Sequence, residues 1–247
     1  MRPPGPSLVR GLARANLGQP DYRRALEQHA AYVRALERCG LEVIALEPDD
    51  DYPDSTFVED TALLAPECAI IMRPGAPSRR GETETIAPVL NKYYAHVEQV
   101  KPPGTAEGGD IMIAGNHVYI GISQRTNPEG ARQIIEILDP HGMRGSTISL
   151  DNLLHLKSAV AYLEDNRLVV TGELCGRAEF SMYSQIPIDD AECYAANCVW
   201  INGTVLVASG YPKAQRGIEA QGLKTIALDM SEFRKLDGGL SCLSLRF

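Results

Sequence analysis

The sequence predicts an α/β fold built from five repeats of one strand, strand, helix and strand module, all within a single domain of 247 residues. Three observations carry that expectation. "CGLEVIALEPDD" from 39, "HGMRGSTISLDN" from 141 and "QGLKTIALDMSE" from 221 share one shape: a glycine ending a helical stretch, a short β-branched strand, then acids. Five further stretches, "DSTFVEDTALLA" at 54, "EGGDIMIAG" at 107, "HLKSAVAYLE" at 155, "AANCVWING" at 195 and "GGLSCLSLRF" at 238, lead into strands at separations of 53, 48, 40 and 43 residues. Finally, no linker or low-complexity tract interrupts the pattern. A module of this size cannot bury its own apolar face, so it stacks on neighbours, and a ring is the natural closure for five of them.

The elements follow in order. "PDYRRALEQHAAYVRALERCG" opens with Pro20 and Asp21 and places apolar residues at helical spacing. "SRRGETETIAPVLNKYYAH" supplies a second helix, weakened by Pro88, which removes a donor and clashes with the preceding turn. "NPEGARQIIEILDPHG" starts a third at Asn127. "EDNR" at 164 and "INGT" at 201 are hairpin signals. The terminal "LSCLSLRF" alternates apolar with polar residues and reads as a strand, entered through a tight turn at Gly238 and Gly239.

A formal charge of −8, from 24 Lys and Arg against 32 Asp and Glu, argues against nucleic acid and anionic membranes as partners, because both depend on clustered cations. It suits a cationic small molecule better. No apolar run is long enough for a membrane span, and "MRPPGPSLVRGLA" lacks the apolar core of a secretory signal, so a soluble, cytoplasmic protein is expected. The six cysteines show no CxxC pair or zinc-knuckle spacing and are expected to be reduced. Cys39, Cys68, Cys175, Cys193 and Cys198 read as small buried apolar side chains.

Cys242 is different. Ring closure would bring it together with Glu59, Asp60, Glu107, Asp110 and His155. Only about 3% of an ordinary thiol is thiolate at pH 7, so a nucleophilic cysteine needs a positive neighbour or a base. His155 supplies either, and a carboxylate such as Glu107 would orient its imidazole. Arg79 and Arg125 offer planar forks for a carboxylate, while Asp54, Glu59 and Asp60 face a cationic end. Arg73 and Arg80 read as surface salt-bridge partners. Acids at one end and arginines at the other fit a zwitterionic amino acid with a cationic side chain.

"PDSTFVEDTALL", "IMRPGAPSRRGETE", "PGTAEGGDIMI", "SQRTNPEGARQ", "LHLKSAVAYLE", "AANCVWING" and "KLDGGLSCLSLRF" together resemble the dimethylarginine dimethylaminohydrolases of the guanidino-modifying (pentein) superfamily, closest to the short bacterial form. The resemblance runs from about Ser7 to Phe247. It implies a five-bladed α/β propeller of ββαβ modules around a pseudo-fivefold axis. It also implies hydrolysis of methylated arginines to citrulline and a methylamine, with Cys242 as nucleophile, His155 as acid and then base, and Glu107 orienting it. By the same resemblance Asp60 holds the guanidinium, Asp54 and Glu59 flank the amino-acid head and side chain, Arg79 and Arg125 take the carboxylate, and Leu12 and Leu236 bind through backbone groups. No cofactor is implied; zinc trapped by Cys242 and His155 would inhibit.

The family's short form carries an apolar strand before the region matching "RPPGPSLVRGL", so the first module is expected to lack its first strand. That expectation has three readings: a misassigned start, a trimmed chain, or a partner over the open edge, for which a homodimer is the candidate. Arginine deiminase, an idle arginine-binding protein and a Cys, His and Glu thiol amidase are the rival readings. The first would require an extra helical insertion, the second would not need Cys242, His155 and Glu107 together, and the third has no use for the acids at 54 to 60.

Overall fold

Asp21 and the apolar spacing that follows it produce the longest helix, α1 (Tyr22–Arg38), whose N-cap carboxylate accepts from Arg24 N at 3.0 Å. The computed structural model describes all residues, 1–247. Its contacts divide the chain into two compact units, one of Met1–Thr56 with Ser158–Leu243 and the other of Phe57–Lys157 with Ser244–Phe247.

The second unit holds two modules. In one, β1 (Ala62–Leu64) pairs antiparallel with β2 (Ala69–Ile71), and after the short α2 (Ala87–Leu90) the chain returns as β3 (Val97–Gln99), parallel to β2. In the next, β4 (Ile111–Ala114) and β5 (His117–Ile122) form the hairpin, α3 (Pro128–Leu138) crosses over, and β6 (Arg144–Ser149) pairs parallel with β5. The central strands are buried nearly throughout, which is why "AII" and "VYIGI" read as apolar runs. Ile70, Met72, Ile111, Ile120, Ile134 and Leu138 share one core across both modules.

The first unit holds the other two. β7 (Val160–Tyr162), β8 (Arg167–Thr171) and β9 (Ser184–Ile188) form one sheet; β10 (Val199–Ile201), β11 (Thr204–Ala208) and β12 (Lys224–Leu228) form the other, with α4 (Pro212–Glu219) crossing between its last two strands. α5 (Ser231–Arg234) follows β12 and packs on α1. Both hairpin signals are turns: Glu164, Asp165 and Asn166 take positive φ in succession, and Asn202 and Gly203 take φ of 46° and 82°.

Three expectations need correction. The module around β8 has no α-helix: its crossover folds as two 3₁₀ turns, Gly172–Leu174 and Ala178–Phe180, because Gly172 and Gly176 both adopt left-handed backbone and break the helical run. "SRRGETETIAPV" is mainly a 3₁₀ helix (Pro77–Thr85), with only one α-turn around Pro88. Last, neither "LSCLSLRF" nor residues 41–49 form a ladder; the terminal stretch holds a 3₁₀ turn at Ser241–Leu243, and the other segment is tied to Met1 by bonds through Ile44 O and Leu46 N. Alternation reports which faces can be buried, while a strand also needs a neighbour to complete its hydrogen bonds.

α3 tests local logic directly. Asn127 Oδ1 accepts from Gly130 N at 2.8 Å and from Thr105 N at 3.0 Å, joining the helix start to the lead-in of β4. Asn127→Ala is expected to cost about 1–2 kcal/mol and to lower Tm by roughly 2–8 °C, read by thermal unfolding.

Candidate active site

Every lead-in stretch turns through a 3₁₀ segment: Val58–Thr61, Gly108–Asp110, Leu156–Ser158, Asp190–Ala196 and Ser241–Leu243. These turns carry or flank most of the reactive side chains.

In the second unit the expected acids and histidine meet in one buried cluster. His155 Nε2 lies 2.8 Å from Glu107 Oε2, and Glu107 is wholly buried. The backbone N–H of Glu107 donates to Thr126 Oγ1, while its Oε1 accepts from Ala76 N at 3.3 Å and from Arg125 at 3.4 Å. Asp60 is held by Gly109 N at 2.9 Å and Arg79 Nη1 at 2.6 Å. Only glycine fits at 109, since a Cβ there would stand 2.7 Å from His155 Nδ1 and 2.9 Å from Asp60 Oδ1. Asp110 accepts from Leu156 N at 3.1 Å and from Ser123 Oγ, fixing the backbone beside His155.

The electrostatics follow. Burial pushes the imidazolium of His155 down, but the charge of Asp60, the hydrogen bond to Glu107 and the charge of Asp110 outweigh it and raise its pKa to about 9. Burial raises Asp60, and the positive charges of His155 and Arg79 overcome it, bringing the carboxyl to about 2. Glu107 is likewise held below the ordinary range, against burial, by its bond to His155. Burial leaves Asp110 above it. At neutral pH His155 is therefore an imidazolium with a proton to give.

The arginines divide. Arg79 is buried, with its guanidinium on Glu82, Asp60 and the Phe57 carbonyl. Arg125 keeps 19% of its side chain exposed. Glu59 accepts from Lys157 Nζ at 2.6 Å and faces Arg246 at 3.7 Å. Arg73 and Arg80 bond the carbonyls of Gly104 and Pro74, so the expected surface salt bridges are replaced by backbone contacts.

In the first unit Cys242 is buried in its 3₁₀ turn and its sulfur accepts from Gly239 N at 3.3 Å. Asp54, also buried, takes Leu12 N at 3.0 Å; Leu12 is half-exposed and Leu236 buried. All six cysteines are free thiols. Cys68 and Cys198, each just before a strand, are buried as expected, whereas Cys175 and Cys193 are exposed and Cys39 is intermediate.

A profile of the N,N dimethylarginine dimethylhydrolase family, in its eukaryotic form, matches residues 18–168. The N(G),N(G)-dimethylarginine dimethylaminohydrolase of Pseudomonas aeruginosa is 52% identical over all of this chain and 97% of its own length. The chain belongs to the dimethylarginine dimethylaminohydrolase family. The Streptomyces coelicolor enzyme of the same name is 35% identical over all of this chain and 95% of its own. A crystal structure of the P. aeruginosa protein, a cysteine-to-serine variant complexed with citrulline, superposes with a TM-score of 0.98 at 51% identity, covering 100% of this chain and 97% of that one. A histidine-to-glycine variant of a dimethylarginine dimethylaminohydrolase, in adduct with S-methyl-L-thiocitrulline, superposes equally well. The N-terminal domain of the cyanobacterial arginine dihydrolase ArgZ, 19% identical with a TM-score of 0.90, shares the α/β fold.

Sequence reasoning passed over Thr126, Lys157 and Glu82, which bond Glu107, Glu59 and Arg79 in the second unit, and Asn197, which bonds Ser241 in the first. The only signal for them was their position beside a flagged residue, as Lys157 stands two places after His155. Asp60, Glu107 and His155 also offer one ligand atom each within 4.8 Å of one another, a donor set suited to zinc. A metal there would have to displace the proton that His155 holds.

Proposed function

We propose that the protein hydrolyses Nω-methylated and Nω,Nω-dimethylated L-arginine to L-citrulline plus methylamine or dimethylamine. The observation that carries this reading is His155, kept protonated in a buried carboxylate cluster beside Arg79 and Arg125. In the proposed reaction the sulfur of Cys242 attacks the guanidinium carbon, the C–N bond to the methylated nitrogen breaks, and His155 gives that nitrogen its proton, leaving a thiouronium on Cys242. His155, now neutral, takes a proton from water; the hydroxide adds to the same carbon, the C–S bond breaks, and citrulline leaves. Glu107 orients the imidazole and stabilises its charged form.

Substrate contacts belong to the same proposal. Asp60 holds the guanidinium, and Asp54 and Glu59 serve the head group and side chain. Of the arginines assigned to the carboxylate, Arg125 is the better placed, because Arg79 is already bonded to Asp60 and Glu82. Leu12 and Leu236 contribute backbone groups. The proposal requires the modules to close as a five-bladed propeller, with the termini and α1 completing the fifth blade and bringing Cys242 to His155. The free state of all six thiols supports a cytoplasmic setting, and no helix is long and apolar enough to cross a membrane. A homodimer, catalysis without a cofactor, and inhibition by zinc at Cys242 and His155 complete the reading.

The test is a product assay. Purified protein is incubated with asymmetric dimethylarginine or arginine, and citrulline, dimethylamine and ammonia are measured, with mass spectrometry of protein quenched during turnover. Citrulline and dimethylamine in equal amounts, with a substrate-derived adduct on Cys242, are expected. Ammonia from arginine, with no dimethylamine from the methylated compound, would assign the chain to deiminase chemistry instead.

A further inference from the structure

The turn that presents Cys242 is held by two side chains from a different module. Asn197, buried at the end of the 3₁₀ segment before β10, accepts the Ser241 N–H on Oδ1 at 2.9 Å and donates from Nδ2 to Ser241 Oγ at 3.0 Å. Tyr194, one turn earlier, donates its hydroxyl to Gly238 O at 2.8 Å. Tyr194 is itself braced: the Arg234 guanidinium lies 5.0 Å from its ring centroid and donates to the Tyr211 hydroxyl at 2.7 Å. Between the two anchors sits Gly239, whose N–H donates to the sulfur of Cys242. The approach is close, since a Cβ on Gly239 would stand 2.5 Å from Cγ and Oδ1 of Asn197.

We infer that Asn197 and Tyr194 are positioning residues for Cys242, fixing residues 238–241 so that the Gly239 N–H stays aimed at the sulfur. The physical reason is that a hydrogen bond donated to sulfur favours the thiolate over the thiol, and a flexible turn would let that N–H turn away. Both anchors are needed because each fixes a different end: Tyr194 holds the carbonyl before Gly239, and Asn197 holds the N–H two residues after it. Both act through the backbone of the turn, at Ser241 N and Gly238 O. The inference rests on the reading of Cys242 as the nucleophile.

Alkylation by iodoacetamide tests it without substrate: the sulfur displaces iodide, and peptide mass spectrometry follows the carbamidomethyl group on Cys242. Asn197→Ala is expected to slow Cys242 alkylation at pH 7 about tenfold, and to lower kcat at least as much with KM changed less than about threefold. Tyr194→Phe, which removes one hydroxyl, should slow alkylation roughly threefold. A side chain that merely filled space would give the opposite sign, since a loosened turn exposes the thiol and speeds its reaction. Unchanged or faster alkylation in a variant that keeps the parent's thermal transition overturns the inference. If Asn197→Ala fails to fold, Tyr194→Phe decides by the same criterion. Slower alkylation in a protein that does not turn over dimethylarginine would support the positioning role while removing the proposed function.

Discussion

Cys242→Ser is expected to lower kcat for asymmetric dimethylarginine by at least about 1,000-fold while substrate binding persists. The expectation rests on the difference between two nucleophiles. A serine hydroxyl is far less acidic than a thiol, and an N–H such as that of Gly239 at 3.3 Å, adequate help for a sulfur, cannot make an alkoxide at neutral pH. In the proposed site, binding draws on other groups, chiefly the carboxylates and arginines, so calorimetric titration with substrate should still show a complex. Turnover within tenfold of the parent protein would remove Cys242 from the chemistry and the thiouronium with it.

The second large effect belongs to His155 and appears both in rate and in pH dependence. His155→Gln is expected to reduce kcat by about 100- to 10,000-fold, since glutamine has no proton to release to the departing amine. In the parent protein kcat should fall as pH rises through about 9, where the imidazolium loses its proton, and that alkaline limb should be missing from the residual activity of the variant. Stability carries the same signature. A histidine whose pKa rises from 6.5 to about 9 on folding stabilises the protein fully below pH 6.5, and that contribution is lost as pH climbs towards 9. Asp60 acts in the opposite direction: lowered from 3.8 to about 2, it stabilises above pH 3.8 and ceases to do so on acidification towards 2. Chemical denaturation across pH should show a plateau between these limits for the parent and a flatter alkaline side for His155→Gln. An alkaline limb unchanged by the substitution would mean that another group supplies the proton.

Much of this was legible in the sequence because the relevant signals are local. Asp21 and Asn127 sit at the starts of α1 and α3 and cap them, and "EDNR" and "INGT" specify their turns through residues that tolerate positive φ. The stretches at 54, 107, 155 and 195 were read as strand entries and lead into β1, β4, β7 and β10. The 3₁₀ lead-ins were not legible, because a three- or four-residue turn has no period to detect. Nor was the pairing of Arg79 with both Asp60 and Glu82: the residue types suggested a fork for a substrate carboxylate, and only tertiary packing places the guanidinium among acids. The terminal strand was misread for a related reason, since alternation in "LSCLSLRF" records burial without supplying a pairing partner.

The division of the chain bears on its synthesis. Apart from four C-terminal residues, the unit containing His155 and Glu107 is one uninterrupted stretch, Phe57–Lys157, whereas the unit containing Cys242 joins Met1–Thr56 to Ser158–Leu243. A nascent chain can assemble the uninterrupted stretch while the ribosome is still translating the remainder, but the other must wait for segments more than a hundred residues apart to meet. On the proposed reading, the imidazole and its carboxylates would then mature before the thiol, and a polypeptide stalled midway would carry the proton donor without the nucleophile.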